Sequence, residues 1–97
     1  MENQKILVID DQEEIQEVLA AILEADGYQV RLASSVDEGV WKAGDETPDL
    51  ILLDFMMPEK NGMEGMKELR AIKELANTPI IFLTAMMSST DGEGVGI

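Results

Sequence analysis

The sequence predicts an α/β fold, a doubly wound parallel sheet with helices on both faces. Three observations carry that reading. Short runs that are apolar at every position, Ile6 to Ile9, Leu50 to Leu53 and Ile80 to Leu83, alternate with stretches of helical periodicity. A strand that is apolar on both sides is one covered on both sides. The links between these stretches are short, so each strand returns through a helix and runs parallel to the last.

The elements follow in order. Ile6-Leu7-Val8-Ile9 is the first strand. Ile15, Val18, Leu19, Ile22 and Leu23 then recur at helical spacing, with Glu13, Glu14 and Glu17 early, where the helix dipole favours acids. Asp26-Gly27 stops this helix, because glycine takes the left-handed conformation that follows a helix end. Tyr28 to Ala33 alternates in polarity and reads as a more exposed strand. Ser35 with Glu38 three residues later fits a capping box, opening a second helix through Val36, Val40 and Trp41 to about Ala43.

Thr47-Pro48 breaks the second helix, and Asp49 to Asp54 forms the third strand. Met63, Met66, Leu69 and Ile72 mark a third helix, and Thr78-Pro79 ends that stretch. A fourth buried strand, Ile80 to Leu83, leads to Thr84. The remainder, "MMSSTDGEGVGI", carries neither period. Residues 1–85 are therefore expected to form the domain, and residues 86–97 a Gly-rich tail or an incomplete fourth helix.

Composition excludes several classes of function. The 97 residues suffice for one small core. Seven basic against twenty acidic residues give a formal charge of −13, which argues against nucleic-acid binding. Cys and His are absent, which removes disulfides, thiolate chemistry, catalytic triads and ordinary zinc sites. No apolar stretch approaches the roughly 20 residues of a membrane span, and the first residues lack a signal peptide's pattern. A soluble, cytoplasmic protein is expected.

The residues at the strand ends point to chemistry. Ligands of open parallel sheets bind beyond the carboxyl ends of the strands. There stand Asp10 and Asp11 after the first strand, Asp54 at the end of the third, and Thr84 after the fourth. Three clustered carboxylates repel one another unless protonated or joined by a cation. An all-oxygen donor set selects a hard ion, Mg²⁺ above all. One of Asp10 and Asp11 could instead cap the first helix, but two adjacent acids exceed that need. Asp54, at the mouth of such a site, is a nucleophile for a phosphoryl group, and Pro58 and Gly62 turn the chain away from it.

The motifs "ILVIDD" (6–11), "DLILLDFMMPEKNG" (49–62) and "PIIFLTA" (79–85) resemble the receiver domain of two-component response regulators. The resemblance implies a flavodoxin-like sheet, here reduced to about four strands in the order 2-1-3-4. It implies that Asp54 accepts a phosphoryl group from a histidine kinase or phosphotransfer protein. It also implies that Asp11, Asp54 and the backbone carbonyl of Met56 ligate Mg²⁺, with Asp10 acting through water. Thr84 would be the switch hydroxyl, and Ala85 the small residue beside it.

The chain departs from the family after Thr84. The usual fourth helix, the fifth strand with its Lys, and the fifth helix are not recognisable. Lys60 is the nearest substitute for that Lys. Without a fifth strand, the fourth becomes a sheet edge. A homodimer is therefore expected, through that edge or through the face a fifth helix would cover. Two readings follow: a phosphoacceptor signalling domain with impaired switching, or a phosphorylation-independent binding or dimerisation module. An aspartate-dependent phosphohydrolase would want two Asp separated by one residue, which Asp10-Asp11 does not provide.

Overall fold

The computed structural model describes residues 4–83. Among them are β1 (Lys5–Ile9), α1 (Glu13–Ala25), β2 (Gln29–Ala33), α2 (Val36–Asp45), β3 (Leu50–Asp54), α3 (Gly62–Arg70), a 3-10 turn (Lys73–Leu75) and β4 (Ile80–Leu83). The four strands are parallel, in the order β2-β1-β3-β4. That is the expected architecture. Thr84, Ala85 and the expected tail of residues 86–97 lie outside the described residues.

Alternation along the strands sorts their side chains between two cores. Leu7 and Ile9 of β1, with Ile51 and Leu53 of β3, face α2 and α3, where Val36, Ala43, Leu69 and Leu75 join them. Ile6, Val8 and Leu52 face the other way, against Leu19 and Leu23 of α1. Val8, Ile9, Ile51 and Leu53 are fully buried, as strands covered on both sides require. Burying each such side chain contributes about 1.5–3 kcal/mol.

The helix ends show local causes. At the end of α1, Gly27 adopts φ 95°. Its N–H donates to the Glu24 carbonyl, and the Tyr28 N–H donates to that of Leu23, which is the Schellman arrangement. Ser35 caps α2 by accepting from the Glu38 N–H (3.1 Å). The expected reciprocal half of that box is displaced: the Glu38 carboxylate accepts from the Ser34 N–H instead (2.8 Å). The complete capping box is at α3, where Asn61 and Glu64 exchange backbone bonds of 3.0 Å each. Arg70 closes the connection to β4 by donating to the carbonyls of Leu75 (2.7 Å) and Thr78 (2.6 Å).

Several expectations are corrected. Trp41 lies on α2 as expected, on its exposed side at 66% exposure. Val18 and Ile22 lie on a flank of α1 that β1 and β2 do not reach, and both are more than half exposed. Leu19 and Leu23 of the expected stripe do pack against the sheet, and the buried residue of the helix is Gln16. The second helix runs on to Asp45, β2 begins at Gln29 and β3 at Leu50. β4 is less covered than its sequence suggests. Ile80 and Phe82 pack on the α2–α3 side, but Ile81, on the α1 side, is 51% exposed among the described residues.

Candidate phosphoacceptor and metal site

Parallel pairing brings the acids together. Ile9 of β1 is in register with Leu53 of β3, so Asp10 and Asp54 leave the sheet side by side. The ladders continue one step past the strands: the Asp10 N–H donates to the Ala33 carbonyl (2.9 Å), and the Phe55 N–H to that of Leu83 (3.2 Å). Both acids are thus pinned by backbone on either side. They are also buried, at 3% and 7% exposure, while Asp11 stands in solvent.

One carboxylate oxygen from each of Asp10, Asp11 and Asp54 lies within 4.8 Å of the others. An octahedral Mg²⁺ with metal–oxygen distances of about 2.0–2.1 Å keeps its ligands within about 4 Å of one another. Small side-chain rotations span that difference, so the donor set fits a hard divalent ion. Among the described residues no Lys or Arg forms an ion pair with any of the three.

The local bonds orient each acid. Asp10 does not act as the cap residue of α1, which is Gln12. Its Oδ1 instead accepts from the Gln12 N–H (2.8 Å), an Asx turn just ahead of the helix. Asp54 Oδ1 accepts from the Met56 N–H (3.1 Å), which turns the chain away from the rim. Gly62 is the first residue of α3. A Cβ there would stand 2.8 Å from the Phe55 backbone and 2.9 Å from the Phe82 ring, so only glycine lets the loop close. Phe55 and Phe82 meet edge to face at 5.4 Å, anchoring the loop to β4.

Burial raises the pKa of Asp10, opposed by the bond from Gln12 and assisted by the charge of Asp11. Burial likewise raises that of Asp54, opposed by the Met56 N–H and assisted by Asp10 and Asp11. Beside the cluster, a cavity of about 180 Å³ opens between the β2–α2 turn and the loop after Asp54. Asp11 and Ser34 stand on one side of it, Met57 and Pro58 on the other.

Lys60 does not serve as the substitute cation. Its ammonium bridges Asp37 (2.8 Å) and Glu68 (2.6 Å), and these partners hold its pKa well above the usual lysine range. Asp10, Asp11 and Asp54 therefore assemble as expected, while Thr84 lies outside the described residues. Sequence reasoning passed over Gln16. It is buried, and its Nε2 donates to the carbonyls of Asp10 (2.6 Å) and Ala33 (3.2 Å) and to Ser34 Oγ (3.1 Å). The available signal was a polar residue on the helical stripe of Leu19 and Leu23.

The family described as the response regulator receiver domain matches residues 6–94. The chain belongs to that family. This receiver domain is 48% identical over 83 residues to the alkaline phosphatase synthesis transcriptional regulatory protein PhoP of Bacillus subtilis, covering 86% of the chain and 34% of PhoP. To the transcriptional regulatory protein CpxR of Escherichia coli it is 40% identical over 87 residues, covering 90% and 36%. The chain thus spans about a third of the length of these relatives.

Among solved structures, it superposes on the receiver domain of sensor histidine kinase PA1611 from Pseudomonas aeruginosa with a TM-score of 0.82. The identity is 33%, over 93% of this chain and 74% of that one, and PA1611 has a magnesium ion coordinated in its active-site cleft. The chemotaxis protein CheY4 of Vibrio cholerae gives a TM-score of 0.82 at 31% identity, over 84% and 68%. Receiver domains are signalling modules of two-component systems that take phosphoryl groups from histidine kinases, rather than classical enzymes. An Asp cluster of this kind is typical of their Mg²⁺ site. Among the described residues, no helix is long and apolar enough to cross a membrane.

The raised carboxyls carry a stability consequence. Each group holds its proton more tightly in the folded chain than in the unfolded one. Its contribution is therefore full below the ordinary Asp value of 3.8 and lost as pH rises through the higher folded-state value. Without divalent ions at pH 7, Asp54→Asn should melt above the wild type, because one buried charge is gone. A gain of ~1 kcal/mol would appear as ~4–8 °C in a domain this small. Thermal unfolding followed by circular dichroism should show the gap closing as pH falls toward 4. A mutant that melts lower at pH 7 would contradict the assignment.

Proposed function

We propose that Asp54 accepts a phosphoryl group from a histidine kinase or phosphotransfer protein of a bacterial two-component system in the cytoplasm. The observation that carries this reading is the convergence of Asp10, Asp11 and Asp54 at the mouth of the sheet, two of them buried and none paired with a described cation. Asp11, Asp54 and the Met56 carbonyl would hold Mg²⁺, with Asp10 acting through water. When bound, the ion would offset charge on the phosphoryl oxygens.

The chain's own part is to hold and aim the nucleophile. The Met56 N–H donates to Oδ1 of Asp54, which fixes the plane of the attacking carboxylate. In transfer from a phosphohistidine, the new O–P bond forms as the N–P bond breaks, and the electron pair returns to the imidazole. Burial on the β1–β3 rim fixes the carboxylate in position, which supplies much of the catalysis that positioning can offer. Thr84, directly after β4, is the proposed switch hydroxyl.

Incubation with acetyl phosphate followed by intact-mass measurement tests the reading. A single phosphoryl adduct is expected, dependent on Mg²⁺ and absent from Asp54→Asn. Folded protein that gains no adduct would overturn it.

Exposure of Val18, Ile22 and Ile81 on the α1 side favours a second reading, assembly of two copies on this scaffold without phosphorylation. Light scattering of the unphosphorylated chain should then give twice the mass of one chain at micromolar concentration. A mass of one chain removes that reading and leaves the first intact.

A further inference from the structure

We infer that Gln16 is a positioning residue for the metal site, acting on Asp11 through the peptide that joins it to Asp10. The inference rests on the proposed Mg²⁺ site and adds a residue to it. Gln16 is 6% exposed, and it is the only buried polar side chain of α1 among the described residues. Its amide reaches the ends of β1 and β2 at once. The two N–H groups of Nε2 serve three acceptors: the Asp10 carbonyl at 2.6 Å and, sharing the remaining donor capacity, the Ala33 carbonyl at 3.2 Å and Ser34 Oγ at 3.1 Å.

Planarity of the peptide bond makes the first contact consequential. The Asp10 carbonyl and the Asp11 N–H belong to one rigid unit, so fixing the carbonyl fixes the direction in which residue 11 leaves it. The Asp10 N–H is bound to Ala33 and its Oδ1 to the Gln12 N–H, which accounts for the other side of the residue. Among the described residues, the carbonyl bond from Gln16 holds the Asp10–Asp11 peptide plane from the helix side. Asp11 itself is exposed, and its carboxylate shares a side-chain hydrogen bond with that of Asp54. That bond holds the tip of the side chain, while the direction in which it leaves its Cα is set by the backbone.

The second and third contacts tie this peptide to the end of β2. The Ala33 carbonyl receives both the Asp10 N–H and the Gln16 amide, so Gln16 closes the gap where β1 and β2 separate. Two of its three acceptors are carbonyls, which only the NH₂ side of the amide can meet. Replacing the amide by an apolar side chain of similar length leaves those carbonyls without this donor and lets the Asp10–Asp11 peptide turn.

Titration of Mg²⁺ into the full chain by calorimetry tests the inference. Gln16→Met is compared with the wild type and with Leu23→Ala, a cavity variant on the same helix away from the acids. Loss of a group that orients metal ligands typically weakens binding by about 10–100-fold. We expect Gln16→Met to bind Mg²⁺ at least about tenfold more weakly with its circular dichroism retained, and Leu23→Ala to bind as the wild type. Equal binding by Gln16→Met, or equal weakening by Leu23→Ala, would overturn the inference. A wild type that binds no Mg²⁺ would instead remove the site reading itself, and this inference with it.

If Gln16→Met does not fold, nuclear magnetic resonance of the wild type decides. The Gln16 side-chain amide signals should shift along the same Mg²⁺ titration curve as the Asp11 backbone amide. Signals that stay fixed while Asp11 shifts would overturn the inference.

Discussion

Repulsion among three carboxylates, held in place by backbone pairing, is the constraint around which this domain is built. β1 and β3 cannot change register without moving every core side chain to the wrong face. Leu7, Ile9, Ile51 and Leu53 thus hold Asp10 and Asp54 together as firmly as they hold the α2–α3 core. Burial then raises the cost of ionising both acids. The fold stores an unfavourable arrangement at one end, and its hydrophobic layers offset it. Such a donor set suits a hard cation, and an Asp cluster of this kind is typical of the Mg²⁺ site of receiver domains.

The two faces of the sheet serve this arrangement unequally. On the α2–α3 side, Leu69 and Leu75 are fully buried, and Phe55 against Phe82 ties the reactive loop to β4. Lys60 strengthens the same side by bridging Asp37 at the start of α2 to Glu68 in α3. Exposed ion pairs of this kind contribute little each, so the aromatic contact and the buried leucines matter more. On the α1 side, Gln16 reaches the rim, whereas Val18, Ile22 and Ile81 stay open to solvent. Among the described residues, the rim is thus packed from one face and hydrogen-bonded from the other by the Gln16 amide.

Most of the architecture was legible from periodicity. The apolar runs of β1, β3 and β4 and the Gly27 stop locate elements because each reflects a local physical rule. Asp10, Asp11 and Asp54 were legible for a related reason: a carboxylate directly after a fully apolar strand has few other purposes. Val18 and Ile22 misled, because hydrophobicity marks what a position tolerates and not which neighbour covers it. The reach of Glu38 to Ser34 instead of Ser35 depends on the angle at which β2 enters α2, which spacing does not encode. Gln16 was hidden for the opposite reason: its partners are backbone carbonyls, which every residue carries and no sequence pattern marks.

The central claim is that this cluster is a site for a divalent cation in the folded chain. Thermal unfolding at pH 7, with Mg²⁺ against NaCl of equal ionic strength, tests it most directly. A ligand at about 100 times its dissociation constant stabilises the folded state by about 2.7 kcal/mol. A rise in melting temperature is expected that is specific to Mg²⁺, saturable, and abolished in Asp11→Asn. Equal effects of Mg²⁺ and NaCl, or an undiminished rise in Asp11→Asn, would contradict it.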